Sequence, residues 1–257
     1  MEFIREHGSV QVDDLAVFLQ VTPQTIRRDL NHLYDLELVQ RVHGGAVIKD
    51  TVENLGYGAR KILMAEEKEA IAKLAASIIT DNSSMFINIG TTTERVAEYL
   101  VRHKGLLVIT NNINVASTLW PVRGIEVMIA GGTIRQSDGG IVGPSTEEFV
   151  DKFKLDFAVI GCSAIDENGE FCDYDLREVR ITQSIIRHAR KVILVTDSMK
   201  MQRRAPVKVG NLSDIDVLVT DNGVPAQFVE LCRQHSIDLK VAATSKDKAV
   251  EEPGAAQ

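Results

Sequence analysis

Thr22-Pro23-Gln24-Thr25-Ile26-Arg27-Arg28-Asp29-Leu30 is the stretch from which the N-terminal part of the fold can be read. The Thr22 hydroxyl can cap a helix, and Pro23 suits its first turn, where an N–H has no partner to lose. Ile26, Leu30 and Leu33 recur at steps of four and three, so they line one apolar face. The same period gathers Gln24, Arg27, Arg28, Asn31 and Asp35 on the opposite face, with the Thr25 hydroxyl a further candidate contact. Such side chains hydrogen-bond to base edges and phosphates, so one face can dock inward while the other enters a major groove.

The flanking segments fit that reading. Asp13 and Asp14 favour a helix start, and Leu15, Phe18 and Leu19 are expected on one face of that helix. Gln20-Val21-Thr22 leaves room for a tight turn between two helices. Leu38 to Ala46 alternates at period two and ends in a Gly pair, which reads as a small β-wing carrying Arg41 and His43 to the nucleic-acid backbone or minor groove. A charged helix face is more often simply solvated, but here helix, turn, recognition face and wing follow one another in order.

Thr25-Ile-Arg-Arg-Asp-Leu30 followed by Arg41-Val-His-Gly-Gly-Ala46 resembles the winged helix-turn-helix of the DeoR family of bacterial sugar-regulon repressors. The resemblance implies double-stranded operator DNA as a partner and Gln24, Thr25, Arg27, Arg28, Asn31, Arg41 and His43 as its contacts. Charge tempers this. The chain carries a formal −7, and residues 1–50 hold five Lys/Arg against eight Asp/Glu. Binding must therefore depend on a few placed cations, Arg27, Arg28 and Arg41 with Lys49 as a further candidate, and a homo-oligomer (dimer or tetramer) would double the contact. Met1 to His7, before Gly8, has room for about two helical turns. The family pattern begins with a longer helix, so the expectation is a shortened start and weakened DNA binding.

At 257 residues with 44% hydrophobic and 25% charged content, the chain has the composition of a soluble globular protein of one or two domains. It shows no membrane-length apolar run and no signal-peptide pattern, and Cys162, Cys172 and Cys232 lack metal spacing. A reducing cytoplasm is the simple reading, with no metal and no cofactor. The expected division is a winged helix-turn-helix over 1–47, a linker over 48–64, an effector-binding domain over 65–245 and a flexible tail over 246–257.

From Ala65 onward a different pattern sets in. Ile71, Leu74, Ala75 and Ile78 mark a helix face, and apolar strands are expected at 85–89, 106–110, 125–130, 157–160, 192–196, 217–220 and 239–242. Short buried strands alternating with helices imply a mainly parallel α/β sheet covered on both faces, with ligands at the carboxyl ends of its strands. The loops there are Ile89-Gly90-Thr91-Thr92-Thr93, Thr110-Asn111-Asn112, Gly131-Gly132-Thr133-Ile134-Arg135, Asp138-Gly139-Gly140, Gly161-Cys162-Ser163 and Asp197-Ser198-Met199-Lys200. A Gly turn followed by hydroxyls at a helix start favours an anion, although a plain Gly turn with a Thr cap looks the same. Neither the P-loop nor the GxGxxG spacing is present. Arg135 and Lys200 could neutralise a phosphate, which makes a Gly-lined pocket for a small phosphorylated sugar or polyol.

The order IGTTT, TNN, AGG-x-x-R, DGG-I-x-G, G-x-S-x-I-D, REVR and D-x-x-K looks like the effector domain of the same family, which is related in fold to ribose-5-phosphate isomerase. Relatives commonly have Phe-Gly where Met201-Gln202 stand here. The resemblance implies that Gly90, Thr91, Thr92, Thr93, Arg135 and Lys200 hold the phosphate, with Asn111 and Gly140 lining the pocket. It also implies that Asp166 and Glu178 meet hydroxyls, and that the effector is a polyol phosphate such as glycerol 3-phosphate. Asp166 can equally be a turn former and Glu178 a solvated helix charge. Cys162 has no positioned His nearby and reads as a small buried hydrophobe. The leading function is a repressor of a glycerol-type catabolic regulon, with no catalytic residues. The competing reading is a sugar-phosphate isomerase or deaminase with a DNA-binding head, and an activator or dual regulator stays open.

Overall fold

The computed structural model describes residues 3–4, 9–35, 38–42, 44–48 and 56–244. His43, most of the N-terminal heptapeptide, residues 49–55 of the expected linker (Lys49 among them) and the expected tail lie outside the described residues. The chain divides into two compact units, Met1–Leu63 and Met64–Gln257.

In the first unit, strand β1 (Ser9–Gln11) leads into α1 (Val12–Phe18) and α2 (Pro23–Asp35), followed by β2 (Val39–Val42) and β3 (Gly45–Ile48). The three strands form one antiparallel sheet in the order β1-β3-β2. The wing was legible as a hairpin; its third strand was not, because Ser-Val-Gln is too short to show a period. The Gly pair has a steric reason. Gly44 sits at φ +75°, and a Cβ on Gly45 would overlap the Val10 carbonyl oxygen. Ile4, Val10, Val12, Leu15, Ala16, Ile26, Leu30, Val39 and Ala46 make the core. Contrary to expectation, Phe18 and Leu19 are 61% and 52% exposed. Phe18, one turn on from buried Leu15, sits in the last position of the helix at the edge of the core, where its ring meets Phe3 at 4.4 Å between centroids. Within the stretch read as a linker, Tyr57–Ile62 forms α3 with Ala59 buried.

The second unit contains α4 (Ala65–Ile78), β4 (Ser84–Ile87), α5 (Thr91–Leu100), β5 (Leu106–Thr110), α6 (Ile113–Leu119) and β6 (Ile125–Ile129). A short hairpin of β7 (Thr133–Ile134) and β8 (Ile141–Val142) leads to α7 (Pro144–Val150) and β9 (Leu155–Ile160). Then come β10 (Ala164–Ile165), β11 (Glu170–Asp173), α8 (Leu176–Arg187), β12 (Ala189–Val195), β13 (Val207–Asn211), β14 (Val217–Asp221), α9 (Ala226–Gln234) and β15 (Asp238–Ala242). Seven strands make one sheet in the order β15-β14-β12-β9-β4-β5-β6, every neighbouring pair parallel. These are the seven strands expected from the apolar runs.

Strand side chains alternate between two cores. Phe86, Ile109, Ala158, Ile160, Leu194 and Leu218 pack with Val150, Val179, Ile185 and Phe228 of α7, α8 and α9. Met85, Ile87, Val108, Val159, Ile193 and Val219 pack with Ile71, Val96, Leu100, Val115 and Leu119 of α4, α5 and α6. Both faces are therefore covered, as a parallel sheet requires. The strand order reverses between β4 and β9, and at such a reversal the loops after two adjacent strands diverge and leave a crevice. No helix among the described residues is long and apolar enough to cross a membrane.

Candidate functional site

Two sets of side chains stand out, one in each unit. In the first, Thr22 Oγ1 accepts from the Thr25 amide at 3.2 Å and caps α2 as expected. Ile26 and Leu30 are buried, while Gln24, Thr25, Arg27, Arg28, Asp29 and Asn31 together line one exposed concavity. Arg41 on β2 donates to Asn31 Oδ1 at 2.6 Å and lies 4.6 Å over the Tyr34 ring. The Tyr34 hydroxyl donates to the Gly45 carbonyl at 2.8 Å. The wing is thus tied to the helix by a residue that sequence reading passed over, and Arg41 stands alongside the helix face. His43 lies outside the described residues.

In the second unit the chemistry gathers at the carboxyl ends of the parallel strands. Asn88, just past β4, bridges the reversal point: its backbone N–H donates to Val159 O, and its Oδ1 accepts from the Gly161 amide at 3.2 Å. Its Nδ2 donates to Thr182 on α8. Gly90 then turns the chain at φ +154° into α5. Thr93 Oγ1 donates to the carbonyls of Asn88 and Gly90, locking the first turn. Thr91, Thr92 and Thr93 are all buried. Thr92 Oγ1 has no hydrogen-bond partner among the described residues, and neither does Asn111 Oδ1, whose amide nitrogen donates to Ile141 O at 3.1 Å. Of the two, the Thr92 hydroxyl stands in the first turn of α5 and can donate to an anion there, whereas Asn111 Oδ1, just past β5, can only accept and calls for a donor.

The β7–β8 hairpin packs on this edge. Its Gly140 bridges Asn112, and Asn114 Nδ2 donates to the Asp138 carbonyl and to Glu94. Lys200 lies on the β9–β12 side, its Nζ donating to Cys162 O at 2.8 Å. Burial pushes the Cys162 thiol up to about 12, with Thr196 as its neighbour, so it is an inert hydrophobe as expected.

Two expected phosphate or hydroxyl ligands are placed differently. Arg135 is closed in by Asp138 at 2.6 Å, Glu178 at 2.6 Å and Asp175 at 3.1 Å. Burial disfavours its charge, but Glu178 and Asp138 outweigh that and hold its pKa above the ordinary value. Glu178 is carried up to about 7 by burial and by Asp173, against the pull of Arg135. Asp175 caps α8 and is held below the usual carboxylate range, first by Arg177 and then by Arg135. Arg135 and Glu178 do meet, but in a carboxylate cluster that neutralises the arginine. Asp166 lies on the small β10-β11-β13 sheet, its Oδ1 accepting from the amides of Asn168 and Glu170, which is the turn-forming role. It lines a separate groove with Arg203 and Arg204.

The family described as "DeoR-like helix-turn-helix domain" matches residues 1–52, and "DeoR C terminal sensor domain" matches residues 63–222. The glycerol-3-phosphate regulon repressor of Escherichia coli (strain K12) is 40% identical over 94% of this chain and 96% of its own length. The HTH-type transcriptional repressor CsqR of the same strain is 38% identical over 92% of this chain and 90% of its own. Among solved structures, ribose 5-phosphate isomerase A from Neisseria gonorrhoeae is 14% identical, covering 53% of each chain at a TM-score of 0.39.

Proposed function

The chain belongs to the DeoR family, and from that premise we propose that it is a cytoplasmic DNA-binding repressor of a carbon-source catabolic regulon, that of glycerol. In this reading α2 enters the major groove with Gln24, Thr25, Arg27 and Arg28, while Arg41, alongside, meets the backbone. Two modules of a homo-oligomer, a dimer or tetramer, engage operator half-sites. A polyol phosphate, glycerol 3-phosphate first among candidates, binds with its phosphate on the α5 N-terminus and Lys200 nearby. The ligand favours a form with lower operator affinity, a coupling typically of about 1–3 kcal/mol per site.

The observation that carries the sensor half is the buried, unpartnered hydroxyl of Thr92 in the first turn of α5. Thr92→Val keeps the shape and removes the hydroxyl. A lost hydrogen bond to a charged group costs about 1.5–3 kcal/mol, so the variant needs about tenfold or more glycerol 3-phosphate to leave DNA. Operator fragments selected from random-sequence DNA supply the gel-shift probe, and thermal shift against a panel of sugar and polyol phosphates checks binding directly. Equal release concentrations for parent and variant would move the phosphate elsewhere.

One observation favours a second reading. A carboxyl held at about 7, as Glu178 is, suits the base of a sugar-phosphate isomerase. Turnover of any panel member would establish that reading; a shift in melting temperature without turnover speaks for the sensor.

A further inference from the structure

The Arg135 guanidinium is spent on carboxylates, and the composition of the cluster around it points to a different kind of ligand. Asp138, Asp175 and Glu178 each reach the Arg135 guanidinium, Arg177 pairs with Asp175, and Asp173 acts on Glu178 from β11. Four carboxylates thus face two guanidinium groups, and Asp138 and Glu178 are 4% and 8% exposed. A phosphate brought against this wall would be repelled.

The wall belongs to the same edge of the sheet as the α5 N-terminus. Ser163, past the end of β9, donates to Asp173 at 2.9 Å. Thr182, one turn after Glu178, accepts from Asn88. Asp138 sits in the hairpin that Asn111 and Asn114 hold. Independently of the acids, Asn111 Oδ1 is buried, unpartnered and anchored beside Ile141 of that hairpin. Its nitrogen is committed to the Ile141 carbonyl, so what remains is an acceptor in need of a donor.

We propose that Asp138, Asp173 and Glu178, with Asn111 Oδ1, form an acceptor-only wall that determines effector specificity by charge, taking neutral hydroxyls and excluding any effector with a second anionic group. Arg135 ties Asp138 of the hairpin to Glu178 of α8. The wall deepens the effector reading above and rests on its assignment of the phosphate to α5.

Isothermal titration of the full chain with glycerol 3-phosphate and with 3-phosphoglycerate tests it. The two share a three-carbon phosphate skeleton and differ where a hydroxymethyl group gives way to a carboxylate. The parent should prefer glycerol 3-phosphate by about tenfold or more, since a like charge a few ångströms away repels strongly in a partly buried site. Asp138→Asn and Glu178→Gln should each narrow the gap by tightening 3-phosphoglycerate, whereas a merely loosened fold would weaken both ligands. Titrated above pH 8, where Glu178 is ionised, either variant that folds suffices, since each then removes one charge from the wall. Equal affinities in the parent, or a gap unchanged in the folded variants, would overturn the charged wall and leave the phosphate site standing. Binding of neither ligand by the parent would take down the phosphate reading and the wall with it.

Discussion

Helices α2 and α5 both open on threonine hydroxyls, yet α2 carries its polar residues on the surface and α5 buries its own. In α2 the polar residues of the first two turns are exposed and only Ile26 and Leu30 are buried. In α5 Thr91, Thr92, Thr93 and Glu94 are all buried beneath loops from β5, β9 and the β7–β8 hairpin. The first arrangement suits a large, flat, charged partner that comes to the protein. The second suits a small molecule whose hydrogen bonds replace those the fold leaves open. Helix-start chemistry is shared; packing decides which kind of ligand it serves.

The contrast is broken most directly by Arg27→Ala together with Arg28→Ala. Both side chains are exposed, so the melting temperature and effector binding should hold. Losing two base or phosphate contacts, each worth about 1–3 kcal/mol, should weaken operator binding by about thirtyfold or more in a gel shift. An affinity within twofold of the parent would show that α2 is not the reading helix.

A smaller effect belongs to the buried region alone. Glu178 is raised to about 7, so the folded protein holds that proton more tightly than the unfolded chain does. The stabilisation is complete below the ordinary carboxylate range and is lost as pH rises through about 7. Melting temperature should therefore fall between pH 5 and pH 8, and Glu178→Gln should flatten that fall, a difference of up to about 3 kcal/mol. Asp175, held low, works in the opposite sense and only in more acidic solution. Parallel curves for parent and variant would mean that Glu178 stays ionised throughout.

The smallest effect sharpens the other side. Tyr34→Phe removes one hydrogen bond to Gly45 and keeps the ring beneath Arg41. It should cost about 1 kcal/mol in urea unfolding of the N-terminal unit, with a comparable loss of operator affinity if the wing's hold on α2 matters for docking.

What could be read in advance follows the same division. The exposed face of α2 is a matter of local period, and periodicity sorts Arg27 from Ile26 without knowledge of any other segment. The seven parallel strands were legible because strands buried on both faces are near-continuous apolar runs. The closed site was legible only as a set of loops. Arg135 looked free in the sequence, but its partners include Asp175, 40 residues away, and nothing in the local pattern pairs them. Asn88 was passed over because its value lies in reaching Gly161, 73 residues on. Asp166 went the other way: its turn chemistry with Asn168 and Glu170 is local, and it took precedence over the ligand role implied by family likeness.

The pairing of β1 with β3 has a consequence in time. Ser9 lies opposite Val47, and the Val12 amide donates to Gly44 O, so the first strand of the DNA-docking unit waits for its last. Closing so long a loop is paid for before its contacts form, which places this sheet late in folding and the two helices early. On a ribosome adding roughly 5–20 residues per second, the interval between the two strands lasts roughly 2–7 s. During those seconds Val10 has no strand beside it, and the core side of α2, Ile26 and Leu30, is only half covered. The N-terminal unit therefore stays open to chaperones, and to misassociation, until its wing emerges.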